Sequence, residues 1–319
     1  MSENLAENTI TVAGPFALGD DSAYCAWRDA KLATYPQSAS DLVVEIADPH
    51  SLTPAEFEAI LLRCRRANMA IYTASSELGA GKDIPRRLGA QFGLTRLDPN
   101  MLADEDGITS LCVVPGKSGR GYIPYSNRRL LWHTDGYYNP PERKIQAMLL
   151  HCVRPAQEGG ENMLLDPEIA YIALRDENPD WIAALMASDA MTIPANTESG
   201  AETRAAQPGP VFSLDPVSGN LHMRYTARVR SIEWKDDANT REAVAALERI
   251  LGEQSPYVFR HRLEAGQGLI CNNVLHNRSA FTDATGAEAG RLVYRARYYD
   301  RIRNTDWNSI RRNTDAQSE

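Results

Sequence analysis

Two residues with metal-binding side chains stand close together in the stretch LLWHTDGYY, residues 130–138. His133 and Asp135 are two positions apart, behind an apolar run and ahead of two tyrosines. In a β-strand, side chains two positions apart project from the same face, so this spacing directs an imidazole and a carboxylate at one point. That pair supplies two of the three protein ligands of a small metal site.

The third ligand is expected near the other end of the chain. Among six histidines, His276 ends the apolar stretch QGLICNNVLH and is followed by Asn-Arg. Early and late strands lie side by side in a jelly roll, so His276 can meet His133 and Asp135 there. Two histidines and one carboxylate on one face leave the opposite coordination positions open. This is the facial triad of non-haem Fe(II) oxygenases.

The same three side chains fit two other classes of protein. A metal-dependent hydrolase would use a zinc-bound water with a general base beside it. A non-catalytic β-barrel binding protein would retain the metal site without using it. Outside the proposed triad, His151, His222 and His261 are interpreted as core or surface residues.

The composition limits the class of protein. A net charge of −8 and a pI near 5.4 argue against a nucleic-acid-binding surface, which is normally basic. The five cysteines are far apart and form no CxxC motif, so neither a disulfide framework nor a structural zinc site is expected. We find no secretory signal and no apolar run long enough to span a membrane. We therefore predict a soluble, cytoplasmic protein that acts on a small molecule; homo-oligomers are common among such enzymes.

The hydrophobic pattern predicts a mainly β protein with flanking helices and a double-stranded β-helix (jelly-roll, cupin-like) core. We expect one catalytic domain over residues 1–319, with 1–45 as an N-terminal arm or cap and 46–319 as the oxygenase core with helical insertions. Helices are predicted over 52–68 and 237–253. The predicted short strands include 41–48, 69–74, 121–126, 128–135, 144–153 and 162–166.

Four motifs in a fixed order carry a resemblance to a known family. They are HTD (133–135), GGENMLLD (159–166), LHNRSAF (275–281) and RLVYRARYYD (291–300). In this order they resemble the taurine dioxygenase-like (TauD/TfdA) family of Fe(II)- and 2-oxoglutarate-dependent oxygenases, over roughly residues 125–300. The resemblance implies Fe(II) at His133, Asp135 and His276, with 2-oxoglutarate and O2 as co-substrates.

The resemblance also assigns the residues that bind 2-oxoglutarate. An arginine fork suits the far carboxylate of this co-substrate. Arg291 matches the first arginine of the family's Arg-x-x-x-Arg, which is the anchor, and Arg295 matches the second, directed at the iron or the substrate. Asn162 stands where the family commonly has a threonine after its Gly-Gly pair, and its amide can donate a similar hydrogen bond.

The substrate stays open at this stage. Within the family, residues 125–166 are most similar to the carnitine-biosynthesis hydroxylases. That similarity implies that Tyr125, Tyr137 and Tyr138 surround a quaternary ammonium group by cation–π attraction. These tyrosines equally suit packing positions with solvated hydroxyls.

An anionic substrate is the alternative to an ammonium. Arg295, or Arg224 and Arg228 in HMRYTARVR, can bind a carboxylate, sulfonate or phosphonate. The product is left open as well, since hydroxylation, desaturation and carbon–heteroatom cleavage use the same metal site.

Overall fold

The structure, a computed structural model, describes residues 14–75, 81–99, 106–113, 123–198, 201–252, 255–283 and 290–307. The α-helices in these ranges are α1 Asp21–Thr34, α2 Pro54–Ala67, α3 Ile84–Gln91, α4 Pro167–Glu177, α5 Pro179–Leu185 and α6 Ala238–Ile250. The strands are β1 Val43–Glu45, β2 Met69–Thr73, β3 Thr109–Leu111, β4 Leu130–His133, β5 Ala147–Arg154, β6 Glu158–Gly159, β7 Asn162–Leu165, β8 Met191–Ile193, β9 Asn196–Glu198, β10 Ala201–Arg204, β11 Gln207–Gly209, β12 Phe212–Leu214, β13 Leu221–Met223, β14 Glu233–Trp234, β15 Phe259–His261, β16 Gln267–Cys271, β17 Leu275–Arg278, β18 Phe281–Thr282 and β19 Leu292–Tyr298.

Two larger sheets build the body of the protein. One has six strands in the order β1-β2-β16-β5-β19-β3, and the other has four in the order β15-β7-β17-β4. A single buried apolar cluster contains Leu150 and Leu269 from the first sheet together with Leu164 and Leu275 from the second. The two sheets therefore share one core. Three small sheets, including the β12–β13 hairpin, and helices α4–α6 lie in the sequence between β7 and β15, whereas β6 and β18 pair in a further two-stranded sheet outside that stretch.

Strand β5 shows how the six-stranded sheet is covered on both faces. Met148 and Leu150 belong to the cluster shared with the second sheet, whereas Ala147 and Leu149 belong to a separate cluster with Leu61 of α2 and other helical residues. Alternate side chains of one strand point to opposite faces, and both faces are apolar here. This accounts for the nearly continuous apolar run of β5.

The helix predicted over 52–68 is confirmed as α2. Thr53 accepts a hydrogen bond from the backbone N–H of Glu56, and the Glu56 carboxylate accepts one from the N–H of Thr53, which forms a capping box. Pro54 occupies the first turn, where its missing N–H costs nothing. Asn68 ends the helix at φ 56°, a left-handed conformation that asparagine tolerates.

One predicted strand is wrong. Residues 121–126 were expected to be extended, but Ile123–Tyr125 forms a 3-10 helix, while 121–122 lie outside the described residues. Pro124 cannot donate to a strand ladder and its φ suits a helical turn, which explains the difference. In the N-terminal segment, α1 contacts α4 because the Tyr24 hydroxyl donates to Asp176 at 2.7 Å; residues 1–13 are not described.

All five cysteines are free thiols. No helix in the described part of the chain is both long and apolar enough to cross a membrane.

Candidate metal centre

The three predicted ligands meet at the junction of two neighbouring strands. His133 ends β4, and its antiparallel register partner on β17 is His276. Their ring centroids are 4.2 Å apart. Ligand-capable atoms of His133, Asp135 and His276 all lie within 4.8 Å of one another, and all three residues are buried. Residues far apart in the sequence thus face one point because antiparallel partners share a sheet face.

Both histidine rings are oriented by main-chain carbonyls. Nδ1 of His133 lies 2.8 Å from the carbonyl oxygen of Leu131, and Nδ1 of His276 lies 2.9 Å from that of Val274. A carbonyl only accepts, so each Nδ1 carries the proton and each Nε2 keeps a lone pair for a metal. Burial, with the neighbouring His276, lowers the pKa of His133 to about 3, and burial also lowers the pKa of His276. Both rings are therefore neutral.

The loop that carries Asp135 is fixed by one buried asparagine. Asn273 Oδ1 accepts a hydrogen bond from the Asp135 N–H at 2.8 Å. Asn273 Nδ2 donates to the carbonyl of Asp135 at 3.0 Å and to that of Ile145 at 2.8 Å. The backbone of Asn273 is left-handed at φ 47°. Sequence reasoning missed this residue, whose only signal is the Asn-Asn pair where β16 ends.

The two oxygens of the Asp135 carboxylate differ in their hydrogen-bond partners. Oδ1 accepts from Arg295 Nη1 at 3.1 Å, while Oδ2 is buried without a hydrogen-bond partner among the described residues. Burial alone would raise the pKa of Asp135, but Arg295 and Arg297 outweigh it and hold the pKa below its ordinary value. A buried, ionised oxygen without a donor is costly. The Asp135 carboxylate and the two imidazole Nε2 atoms together form a ligand set that suits a divalent metal such as Fe(II) or Zn(II).

A second group of buried residues lies around Phe281. The guanidinium carbons of Arg291 and Arg278 are 5.3 and 4.7 Å from its ring centroid. Arg278 donates to the carbonyl of Ser126 at 2.8 Å, whereas the Arg291 guanidinium, although the residue is only 6% exposed, has no hydrogen bond within the described part of the chain. Burial and then the Arg291 charge lower the pKa of Arg278 to about 9. The group therefore has excess positive charge, and sequence reasoning missed Arg278.

The Gly-Gly segment runs alongside this group. A Cβ at Gly160 would lie 3.7 Å from Nε of Arg291. Asn162 is buried in β7, where Leu164 is the register partner of His276. Because strand side chains alternate, Asn162 shares the sheet face of Leu164 and His276.

The predicted tyrosines do not form a cage open to a cation. Tyr138 accepts a hydrogen bond from Arg297 Nη1 at 2.9 Å, and the guanidinium carbons of Arg204 and Arg297 lie 5.9 and 5.8 Å from its ring centroid. Tyr137 packs edge-on against it at 5.2 Å. Tyr125 is buried at the end of the 3-10 helix. Tyr138 thus already faces two cations, and neither Arg204 nor Arg297 was anticipated.

The remaining predicted anion-binding arginines differ in their surroundings. Arg224 donates to the carbonyls of Gln207 and Gly209, each at 3.1 Å, and also to that of Met191. Arg228 is exposed. Arg224 is therefore occupied by backbone acceptors.

The comparison with protein families agrees with the motif order. Residues 78–297 match the family described as "Taurine catabolism dioxygenase TauD, TfdA family", which is more than half of the chain. The chain belongs to the TauD/TfdA family. The predicted family is thereby confirmed.

Relatives of this TauD/TfdA chain are known by name or by structure. It is 32% identical over 174 residues to a protein from Amycolatopsis sp named uridine-5'-phosphate dioxygenase, which covers 53% of this chain and 60% of the relative, less than two thirds of its length. Asparagine oxygenase in complex with Fe(II), 3-hydroxyasparagine and succinate has a TM-score of 0.55 at 17% identity, covering 91% of this chain and 86% of its own. A taurine dioxygenase from Burkholderia xenovorans has a TM-score of 0.51 at 18% identity, covering 83% and 89%. The two structures establish a common fold.

Proposed function

We propose that this protein is an Fe(II)- and 2-oxoglutarate-dependent oxygenase. The observation that carries the proposal is that ligand atoms of His133, Asp135 and His276 lie within 4.8 Å of one another at one buried point, with Nδ1 of both rings directed at main-chain carbonyls. Fe(II) bound there would supply the oxidation chemistry. One substrate C–H bond, O2 and 2-oxoglutarate would give the C–OH product, succinate and CO2. His133, Asp135 and His276 hold the metal in this proposal.

Arg291 binds the far carboxylate of 2-oxoglutarate in this proposal. A buried guanidinium without a protein acceptor supports this role, because such a group is costly to bury unless it meets an anion. Asn162 donates its amide to the same carboxylate. In this proposal Arg295 donates to Oδ1 of Asp135 and lies on the side of the metal where the substrate binds.

We also propose that the six-stranded and four-stranded sheets form the two halves of a double-stranded β-helix. Their mostly antiparallel pairing and shared apolar core support this arrangement, and the coarser description of a β body with flanking helices agrees with the structural relatives. The domain boundaries at 45 and 319 stay predictions.

We propose an anionic substrate, of the nucleoside 5'-phosphate class. The name of the Amycolatopsis relative supports this class. The Arg204 guanidinium beside Tyr138 supports it as well, since it repels an ammonium, whereas Arg297 is paired with the buried carboxylate of Asp98. The resemblance to the carnitine-biosynthesis hydroxylases stays a prediction, and it requires a cationic substrate instead of an anionic one. Hydroxylation at a carbon that carries the phosphate oxygen gives an unstable product, which loses phosphate and leaves a carbonyl.

A zinc hydrolase is the second candidate for the same ligands, and a non-catalytic binding protein is the third. Neither needs an arginine that is free to bind an anion near the metal. The buried Arg291, whose guanidinium has no hydrogen bond within the described residues, therefore favours the oxygenase.

The test is an anaerobic titration of the purified protein with Fe(II) and then 2-oxoglutarate. We expect a weak visible metal-to-ligand charge-transfer band in the wild type. The band should be lost in His276→Ala and strongly weakened in Arg291→Ala, and the exposed Arg228→Ala serves as the arginine control. Absence of the band in metal-replete wild type would reject the oxygenase. Succinate release is then measured with uridine 5'-monophosphate, uridine, taurine and a trimethylammonium compound.

A further inference from the structure

A solvent-accessible cleft of about 100 Å³ adjoins the metal centre on the side of the Asp135 loop. We call it the Lys144 cleft. Its walls include residues 134–137, Lys144, the segment 208–210, Ser213, His222 and Arg224. A water molecule takes about 30 Å³ in the liquid, so the cleft has room for a group of several heavy atoms. Because Asp135 and Gly136 line it, a group bound there lies directly beside a proposed metal ligand.

Lys144, one of the two cationic side chains that line the cleft, has only a neutral partner. Lys144 is half-buried, and its ammonium donates to the Ser213 hydroxyl at 3.0 Å. It has no ion pair with a carboxylate within the described ranges of the chain. Burial lowers the pKa of Lys144; Asp215 opposes this effect and Arg224 adds to it. The ammonium is thus less compensated than lysines such as Lys31 or Lys235, which pair with carboxylates.

Two further donors of the cleft have free capacity. His222 is half-buried, and its ring has no hydrogen bond in the part of the chain that the structure describes. Burial and the nearby Lys144 charge lower the pKa of His222 to about 3, so the ring is neutral and offers one N–H. The Ser213 hydroxyl accepts from Lys144 and keeps its own proton to donate. Lys144, Ser213 and His222 therefore each have a donor available to a bound acceptor.

The nearest acidic side chain is already occupied. Asp215 Oδ1 accepts from the Val217 and Ser218 N–H groups, at 3.1 and 2.7 Å, and from the Ser218 hydroxyl at 2.8 Å. These bonds help to hold the turn of the β12–β13 hairpin and direct the carboxylate toward it. Asp215 therefore forms no ion pair with Lys144, and the carboxylate among the lining residues, Asp135, is paired with Arg295 instead.

We propose that the Lys144 cleft binds the phosphate group of a phosphate-monoester substrate, held by Lys144, Ser213 and His222. This inference rests on the proposed function for its link to catalysis. Lysine binds phosphate as a point charge, and hydroxyl and imidazole N–H donors suit oxygens that project in several directions. A planar carboxylate would instead favour an arginine fork, and the Arg224 fork is occupied by backbone carbonyls.

Binding is measured on metal-free protein by calorimetry, with uridine 5'-monophosphate, uridine and inorganic phosphate as probes. We expect the wild type to bind uridine 5'-monophosphate more tightly than uridine, and inorganic phosphate to compete. Lys144→Met should weaken the monophosphate at least tenfold and leave uridine unchanged, while Lys144→Arg retains part of the affinity. Ser213→Ala should cost several-fold. Lys235→Met, at an exposed lysine paired with Asp189, is the matched control.

Melting temperatures show that each variant is folded. Equal affinity of wild type and Lys144→Met for the monophosphate overturns the inference, and so does a wild type that binds neither phosphate compound. Because the titration uses no iron, its result is independent of the charge-transfer band. If Lys144→Met loses binding while the wild type shows no charge-transfer band, the phosphate-binding role of the cleft is supported and the oxygenase is rejected.

Discussion

Asn273 holds Asp135 by its backbone and leaves the carboxylate free. The asparagine amide spans the N–H and the carbonyl of Asp135 and also reaches the carbonyl of Ile145, all within 3.0 Å. One side chain therefore joins the loop after β4 to the start of β5 and fixes where the Asp135 side chain originates. This relationship makes Asn273 a positioning residue for the metal centre.

Replacing Asn273 should lower metal affinity beyond its effect on stability. Asn273→Ala removes three buried hydrogen bonds, and we expect about tenfold or greater weakening of Co(II) or Fe(II) binding, since each bond contributes about 1 kcal/mol. Co(II) visible absorption reports both affinity and ligand geometry. Asn277→Ala is the matched control, because this asparagine four residues further on is also buried and, within the described residues, accepts one hydrogen bond, from the Met163 N–H at 3.2 Å. Equal spectra and affinities in the two variants would remove Asn273 from the site.

Asn162 should affect 2-oxoglutarate and not the metal. Asn162→Ala removes one neutral donor, and we expect about a fivefold rise in the 2-oxoglutarate dissociation constant, from roughly 1 kcal/mol per hydrogen bond. Asn162→Thr, which restores the residue common in the family, should recover most of the affinity. Titration of the anaerobic Fe(II) protein through the charge-transfer band measures both. An unchanged constant in the alanine variant would show that Asn162 does not contact the co-substrate.

His222 should make stability depend on pH. Its pKa is about 3 in the folded protein, against about 6.5 for an unperturbed histidine. Below about pH 6.5 the unfolded chain binds a proton that the folded chain does not, so His222 contributes stability above this pH and loses it as pH falls. We expect His222→Asn to show a smaller drop in melting temperature between about pH 7.5 and about pH 5 than the wild type.

This comparison is made on metal-free protein in phosphate-free buffer. A drop as large in His222→Asn as in the wild type would mean that the ring is protonated or solvated in the folded state.

Gly268 should tolerate no side chain. A Cβ at this position in β16 would overlap the ring of Tyr72 and the carbonyl of Leu150. Overpacking of a dense core costs about 1–3 kcal/mol, so Gly268→Ala should clearly lower the free energy of unfolding measured in urea. Gly19→Ala, where a Cβ would meet nothing within 4 Å, is the control. Equal unfolding midpoints would show that the sheet adjusts without cost.

The ligand triad was predictable because its geometry follows from local rules. His276 needs only the pairing of an early strand with a late one. The i, i+2 strand rule also selected Asp135, but β4 ends at His133, so this carboxylate is placed by its loop and by Asn273. Asn273, Arg278 and Arg297 could not be predicted in this way. Each acts through backbone or side-chain partners distant in sequence, such as Ser126 for Arg278, and a lone asparagine or arginine in an apolar strand has no spacing that reports such a partner.

The Lys144 cleft was unpredictable for the same reason, since its walls come from three separate parts of the chain. The 3-10 helix at Ile123–Tyr125 was missed because alternating apolar residues outweighed the single proline in the prediction. The surroundings of Tyr138 also depend on tertiary contacts, because only the structure shows the Arg204 and Arg297 guanidiniums beside its ring.

Because β4 and β17 are neighbours, the chain that leaves the metal centre at Asp135 returns to it at His276. The segment between them, residues 136–275, contains Lys144, Tyr138 and Arg204, whereas Arg278 and Arg291 come after it. The residues proposed to meet the substrate and the arginines proposed to meet the co-substrate thus lie in successive stretches of the sequence, although Asn162 and Asn273 also lie within residues 136–275. A recombinant that takes only residues 137–144 and 196–224 from a relative would therefore be expected to change what is oxidised while it keeps the proposed metal and co-substrate residues.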